Sequence, residues 1–398
     1  MKIVINAVSA KSGGAVSYIT NLLRHLSMVE EDVQFLVFLP PETAARLEGL
    51  KQNARVIPTA IGHAGRLRRL VWEQLTLRIF LKRERADALY STANFAMFCC
   101  PVRQLLLVRN ALYFSSIYRQ MFLPRHSLWC RVSFGLRRWL IIRSARAADV
   151  VMTPTQTMLD ELRCAVDVKN AIVNPYGVTV AEAVTAETCY RPEKAGDRVV
   201  RLLYVSLYSE HKNLSALLKA LALLNDHSSV DFKLVTTADP AWPGAAWTVT
   251  YQEDMTLARQ TGIAEHVAFV GPLNRQDTAS LYRTSDICVF PSLAESFGFP
   301  LAEAMSHGLP IVAADTPVNR EVCGEAAIYF RALSAEDLAN RVLNLAMDST
   351  RCALLGARGR WEAARRFSWS THAGRIVEVA SSHDPEIICS YRAAPFTP

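Results

Sequence analysis

Three charged side chains in the second half of the chain could do chemistry together: Lys212, Glu295 and Glu303. The two glutamates lie within the stretch Val289–Asp315, VFPSLAESFGFPLAEAMSHGLPIVAAD. Asp286–Phe290 is an apolar, β-rich run. Glu295-Ser296-Phe297-Gly298-Phe299 reads as a loop with one permissive glycine. Pro300 stands where a first helical residue belongs, and Gly308 stands just past the helix end. Leu309–Ala314 is a second apolar strand. This order is a βαβ unit, and such units bind ligands beyond the carboxyl ends of their strands. Backbone N–H groups at the loop and helix start suit an anion, and carboxylates accept hydrogen bonds from hydroxyls. A ligand with both phosphate and several hydroxyls, such as a nucleotide sugar, fits that pairing. The spacing alone is weak evidence, because two glutamates so placed recur by chance about once in a chain of this length. Solvated acids on a surface helix would read the same way.

Positioning these groups takes alternating strands and helices. Ile3–Ala7 reads as a strand, Lys11-Ser12-Gly13-Gly14 as a turn and Val16–Leu26 as a helix with apolar residues at helical spacing. Val33–Leu39 is a second strand and Arg66–Leu81 a basic helix carrying Trp72. Ala88–Ser91 and Leu105–Val108 are short strands. Arg131–Ala147 is a helix, and Asp149–Thr153 a strand closed by Pro154. Pro175-Tyr176-Gly177 breaks the pattern, and residues 178–199 read as a connector. The alternation restarts with Leu202–Ser206 (strand), Asn213–Leu224 (helix), Phe232–Thr236 and Val267–Val270 (strands) and Asp277–Thr284 (helix). Two rounds of alternation predict two doubly wound α/β domains with parallel sheets.

The 398 residues, half of them apolar and a fifth charged, suit a soluble globular protein of two domains. No apolar run approaches the roughly 18 residues needed to span a bilayer. The nine cysteines show no zinc spacing and read as reduced thiols in a cytosolic protein. The net charge of +7 is unevenly spread: residues 1–180 carry 24 Lys+Arg against 12 Asp+Glu, and residues 181–398 carry 20 against 25. Arg66 to Arg146 alone holds 16 basic residues and three acids. A basic first half and an acidic second half suggest domains facing different partners.

The stretch PSLAESFGFPLAEAMSHGLPIVAAD resembles the E-x7-E region of retaining GT-B glycosyltransferases, glycosyltransferase group 1 (family 4). The resemblance is strong from Arg201 to Trp369 and weaker before it. It implies the GT-B fold: two Rossmann-like, doubly wound parallel-sheet domains with an interdomain cleft. The N-terminal, acceptor-side domain is expected over 1–180 and the nucleotide-sugar-binding domain over 181–369. Phe367-Ser368-Trp369 and the helix near 370–385 resemble the segment that returns to the first domain. The implied activity is retaining transfer of a sugar from a nucleotide-diphosphate sugar to a hydroxyl of a glycan or lipid-linked acceptor, in cell-surface polysaccharide or lipopolysaccharide biosynthesis.

Such a transfer leaves negative charge on the departing diphosphate, so fixed positive groups and amide dipoles are the main catalytic need. Lys212, in YVSLYSEHKNLSALL just before a helix, is the candidate cation. Relatives pair this lysine with an arginine; here Leu207 stands in the arginine's place, and His211 is one possible substitute. The resemblance assigns Glu303 to ribose hydroxyls and Glu295 to the sugar's hydroxyls. It places Ser292 and the Phe297-Gly298-Phe299 backbone along the donor. Glu295 and Lys212 are the expected catalytic pair, with no covalent nucleophile. Gly13 and Gly14 allow close backbone approach to the donor, although a simple turn accounts for them equally. Arg109-Asn110 stands where relatives have His-Asp near the sugar, and is an expected sugar or acceptor contact; a turn at a strand end is the plainer reading of Asn110. No metal or other cofactor is expected, since no Asp-x-Asp run suits a divalent ion.

The region 66–146 interleaves arginines with Trp72, Phe80, Tyr113, Phe114, Trp129, Phe134 and Trp139. Such stretches lie on anionic membrane surfaces or bind nucleic acid; helices with solvated basic faces over buried aromatics are the plain alternative. The resemblance favours peripheral attachment to the inner membrane face and no nucleic acid. Two rivals stand beside the transferase reading. One is a nucleotide-sugar epimerase of the same shape. The other is a basic membrane- or nucleic-acid-binding protein, which leaves Lys212, Glu295 and Glu303 unexplained.

Overall fold

The computed structural model describes residues 1–11, 13–29, 32–47, 49–179, 199–239 and 248–382. Most of the expected connector at 178–199 and the end of the returning helix near 385 lie outside the described residues. The chain divides into two compact units. The first comprises Met1–Phe114, Trp129–Gly177 and the chain from Ser368; the second comprises Ser115–Leu128 and Val178–Phe367.

The first unit is built on a seven-stranded parallel sheet. Its strands are β1 (Lys2–Asn6), β2 (Gln34–Leu39), β3 (Ala54–Pro58), β4 (Ala88–Ser91), β5 (Arg103–Leu107), β6 (Val150–Thr153) and β7 (Ala171–Val173), in the order β3-β2-β1-β4-β5-β6-β7. Ile3, Val4 and Ile5 are wholly buried, as a parallel strand covered on both faces requires. Register puts Leu36, Val4 and Leu89 on one face, together with Leu106 and Val151. Leu77 and Leu81, from the helix Leu77–Glu84, pack on the β1–β2–β4 part of that face. Ile141 and Ala145, from the helix Leu128–Ala147, pack on its β5–β6 part. Two basic helices therefore share one side of the sheet.

The opposite side carries the helix Gly14–Val29, and the returning helix Trp369–Ser381 packs against it. Three buried polar groups join them. The Nδ1–H of His372 donates to the Pro175 carbonyl (2.9 Å), which leaves Nε2 to accept from the Tyr18 hydroxyl (3.0 Å). The Tyr18 oxygen then takes the Tyr90 proton (2.5 Å). Burial holds His372 neutral, its pKa pushed down to about 3. Gly177 is fixed by the same packing, because a Cβ there would lie 2.2 Å from the backbone nitrogen of Trp369.

The second unit has a six-stranded parallel sheet ordered β10-β9-β8-β11-β12-β13. Its strands are β8 (Val199–Tyr204), β9 (Asp231–Thr236), β10 (Val267–Phe269), β11 (Ile287–Phe290), β12 (Ile311–Ala314) and β13 (Ala327–Phe330). Strand order reverses between β8 and β11, as it does between β1 and β4 in the first sheet. Such switch points open a crevice at the carboxyl ends of the flanking strands, where open α/β sheets bind ligands.

Candidate active site

The loops leaving β8 and β11 flank the switch point of the second sheet, and each supplies one charged group. After β8 the chain makes a short turn, Glu210–Lys212. Asn213 then enters the left-handed region (φ 54°), which its short polar side chain tolerates, and starts the helix Leu214–His227. The Asn213 amide donates to the carbonyls of Pro291 (3.3 Å) and Ala332 (3.0 Å). The Tyr204 hydroxyl donates to the Lys212 carbonyl at 2.9 Å, and the Leu293 N–H to the His211 carbonyl at 2.9 Å. The two loops are thus tied by neutral hydrogen bonds before any charge is considered. Lys212 Nζ forms an ion pair with Glu295 Oε1, their side chains only 18% and 12% exposed. An ammonium has three donors, so pairing with Glu295 leaves N–H groups for a ligand.

From Glu295 the chain passes Phe297, which is buried edge-on between Phe299 and Phe367. Gly298 takes φ +78°, and the helix Phe299–His307 begins at once. Phe299, rather than Pro300, is the first helical residue; Pro300 is the second and is equally suited, since an N–H at that position would have no intrahelical partner. Gly308 ends the helix in the left-handed region, as its position predicts. Ser292 is wholly buried, and its hydroxyl has no partner among the described residues.

Glu303 sits one turn into this helix and is partly buried. The Tyr282 hydroxyl donates to its Oε2 at 3.0 Å, and Tyr282 stacks on His307 with ring centres 5.0 Å apart. Burial pushes the Glu303 carboxyl up to about 7, against the opposing pull of the Tyr282 hydrogen bond and the charge of Arg275. One site therefore holds a salt-bridged carboxylate, Glu295, and a carboxyl that gains a proton near neutrality, Glu303. His211 is not the substitute for the arginine missing at Leu207. It is buried, its Nδ1 pairs with the Ser209 hydroxyl at 2.9 Å, and burial together with the Lys212 charge pushes its pKa well below the usual range, so the ring is neutral.

In the first unit, Gly13 (φ 57°) and Gly14 are exposed where the loop after β1 turns into a helix. Arg109 and Asn110 follow β5. Both backbone N–H groups donate to Asn94 Oδ1, at 2.8 and 3.2 Å. The Arg109 guanidinium lies over the Tyr18 ring, 5.6 Å from its centre. Asn110 Oδ1 accepts the Leu112 N–H at 3.2 Å and caps the short turn Ala111–Tyr113. The second unit gathers Lys212, Ser292, Glu295, Phe297, Gly298, Phe299 and Glu303 around two strand ends, while Gly13, Gly14, Arg109 and Asn110 belong to the first. Sequence reasoning misses Tyr282 and Asn213. An Asn immediately before a helical run is a detectable cap signal, although it usually goes with extended backbone; nothing in the sequence marks Tyr282 as the partner of Glu303.

Known proteins share both halves of this architecture. The family model "Glycosyltransferase Family 4" matches residues 12–182, and "Glycosyl transferases group 1" matches residues 200–348. D-inositol 3-phosphate glycosyltransferase of Corynebacterium kroppenstedtii is 30% identical over 195 residues, covering 47% of this chain and 42% of that protein. The chain spans about half the length of the curated relatives it matches. Among solved structures, Anabaena HepE in complex with UDP-glucose superposes with a TM-score of 0.69 at 20% identity, covering 96% of this chain and 99% of that one. WaaG, a glycosyltransferase involved in lipopolysaccharide biosynthesis, gives 0.69 at 13% identity, covering 96% and 100%. With one family model on each half, and two switch-point sheets superposing on these neighbours over nearly their whole length, this chain belongs to the group 1 (family 4) glycosyltransferases of GT-B fold.

Proposed function

We propose that the protein is a retaining glycosyltransferase that moves a sugar from a nucleoside-diphosphate sugar to a hydroxyl of a glycan or lipid-linked acceptor. One observation carries this reading: Lys212 and Glu295, delivered by the loops after the two strands flanking the switch point, meet as an ion pair, and the helix that carries Glu303 follows directly in the Glu295 loop. A donor would take Lys212 and the positive end of the Phe299–His307 helix at its diphosphate, Glu295 at its sugar hydroxyls and Glu303 at its ribose. Lys212 then faces the leaving group, where negative charge grows, and this stabilisation is the main catalytic contribution. The departing phosphate itself accepts the acceptor's proton, and no divalent ion takes part. The first unit receives the acceptor, with Gly13 and Gly14 after β1 allowing close approach to the donor and Arg109 and Asn110 after β5 contacting sugar or acceptor.

The test is a thermal-shift panel of nucleotide sugars followed by an acceptor-dependent transfer assay with and without EDTA. A stabilising donor whose sugar is transferred unchanged by EDTA supports the reading. Epimerised donor with no acceptor requirement would replace it with the epimerase.

The proposed setting is cell-surface polysaccharide or lipopolysaccharide assembly at an anionic membrane face, with no nucleic acid. Its support is the shared outer side of the two basic helices. Leu67, Val71, Leu75 and Ile79 form one exposed stripe, and Trp129, Val132, Leu136 and Trp139 another. A spacing of four drifts around an ordinary α-helix; the wider turn at Trp72–Thr76 takes up that drift and keeps the first stripe straight. Exposed Arg68, Lys82, Arg83, Arg131, Arg143 and Arg146 accompany the stripes. Apolar side chains set among cations suit the interface of an anionic bilayer. No helix of the described residues is long and apolar enough to cross a membrane. Flotation with anionic vesicles should carry the protein at low salt, and absence from the floated fraction at both low and high salt would remove this part.

A further inference from the structure

Residues Ser115–Leu128 come from between β5 and β6 of the first sheet, yet they are part of the second unit. Their tip carries Arg125 and His126. His126 Nε2 donates to Glu210 Oε1 at 2.7 Å, with the two side chains 9% and 0% exposed. Glu210 Oε2 accepts the Val249 N–H at 3.0 Å. Arg125 pairs with Glu253 and reaches the Val249 carbonyl at 3.4 Å. The Tyr118 ring stands edge-on to His211, 6.2 Å between centres. Glu210 and His211 are the two residues that precede Lys212 in its turn.

A carboxylate with no exposed surface needs partners for its charge. Glu210 has two, and one is delivered by a segment remote in sequence. We propose that the 115–128 excursion, through His126, is a positioning element for Lys212. It anchors the first residue of the turn whose last residue offers its ammonium to Glu295 and, on the function proposed above, to the donor diphosphate. The sheet that carries Lys212 does not complete this anchoring by itself; sequence from the other half of the chain does.

Histidine is needed at 126 as a buried donor, so the test compares His126→Gln, which can still donate an N–H to Glu210, with His126→Leu, which cannot. Acetic anhydride labelling of Lys212, followed by peptide mass spectrometry on the full chain, reads how firmly the turn is held and requires no transfer activity. Local opening of the turn in His126→Leu should speed Lys212 labelling by about tenfold, with other lysines unchanged, while His126→Gln stays near wild type. Equal Lys212 labelling in both variants and wild type overturns the proposal, as does a uniform rise at every lysine, which marks general loosening instead. Should His126→Leu not fold, Glu210→Ala, which removes the acceptor and its buried charge together, takes its place with the same expectation for Lys212. Donor kcat and KM measured in parallel keep the two readings apart: a wild-type protein that transfers no sugar refutes the transferase reading, while labelling still decides the role of His126.

Discussion

Glu303 should destabilise the protein over the same pH range in which it binds donor best, and the two effects can be measured separately. Its carboxyl is raised from 4.5 to about 7 by burial. The folded state therefore holds a proton at pH values where the unfolded chain has released it, and stability falls as pH rises through that window. At about 1.4 kcal/mol per pH unit, ionising Glu303 in the fold costs about 3 kcal/mol more than in the unfolded chain. Glu303→Gln has the same shape and no such cost. Urea unfolding at pH 4.5 and pH 8 should show the stability difference between the Glu303→Gln variant and wild type moving by about 3 kcal/mol in favour of the variant as pH rises. Donor affinity should move the other way. Hydroxyls donating to a carboxylate favour its charged form, so binding releases a proton and weakens as pH falls below 7. A hydrogen bond to a charged group is worth about 1.5–3 kcal/mol, so the variant should bind its nucleotide sugar roughly tenfold to a hundredfold more weakly. Isothermal titration in buffers of different ionisation heat would detect the released proton. A stability difference that stays flat with pH, or a variant that binds as wild type does, would falsify the assignment of Glu303.

Lys212→Ala should lower kcat by about two orders of magnitude, because the growing charge on the leaving group loses its fixed cation. Glu295→Ala should mainly slow transfer and Glu303→Ala mainly weaken donor binding; wild-type kinetics in both would refute the site. His372, held at about 3 against an ordinary 6.5, cannot take up the proton that the unfolded chain binds. Stability conferred above pH 6.5 is lost as pH falls toward 3, amounting to about 2–3 kcal/mol by pH 4.5, and His372→Gln should flatten that part of the acid limb in urea titrations. Gly177→Ala drives a methyl group into the Trp369 backbone and should cost about 3 kcal/mol or more, seen as a lowered midpoint of unfolding.

The parallel strands are legible because burial on both faces leaves nearly unbroken apolar runs. Ala88–Ser91 is recovered to the residue, β1, β2, β9 and β11 to within one at either end, and β8 to within three. Gly308 reads correctly as a helix stop because only the left-handed region fits there. Strand β3 escapes the pattern because it is an edge strand, half exposed along its length and ending in Pro58, so its apolar signal is diluted. The paired helices Ala335–Ala346 and Ser349–Arg366 also go unread in the sequence, although Ser334 and Asp348 cap them in the ordinary way. Within the candidate site, Lys212, Glu295 and Glu303 stand out through the motif resemblance; local rules describe the strand–loop–helix junctions that carry them, while the spacing of the glutamates alone is weak. Neutral His211, the Tyr282 bond and the His126 anchor do not stand out, since each depends on what lies across space. Burial, and with it the pKa of a histidine or a glutamate, is a property of neighbours that the linear pattern does not list.

The link between Tyr18 and His372 spans 354 positions, and on the ribosome that separation becomes a delay. At about 5–20 residues per second, roughly 20–70 seconds pass between the synthesis of the two partners. Once Tyr90 has also been made, the Tyr18–Tyr90 hydroxyl pair waits for its acceptor, and the flank of the Gly14–Val29 helix stays uncovered. Of the two units, the one whose synthesis begins first is thus the one finished last, and a chain that lacks the Trp369–Ser381 helix leaves that unit uncovered.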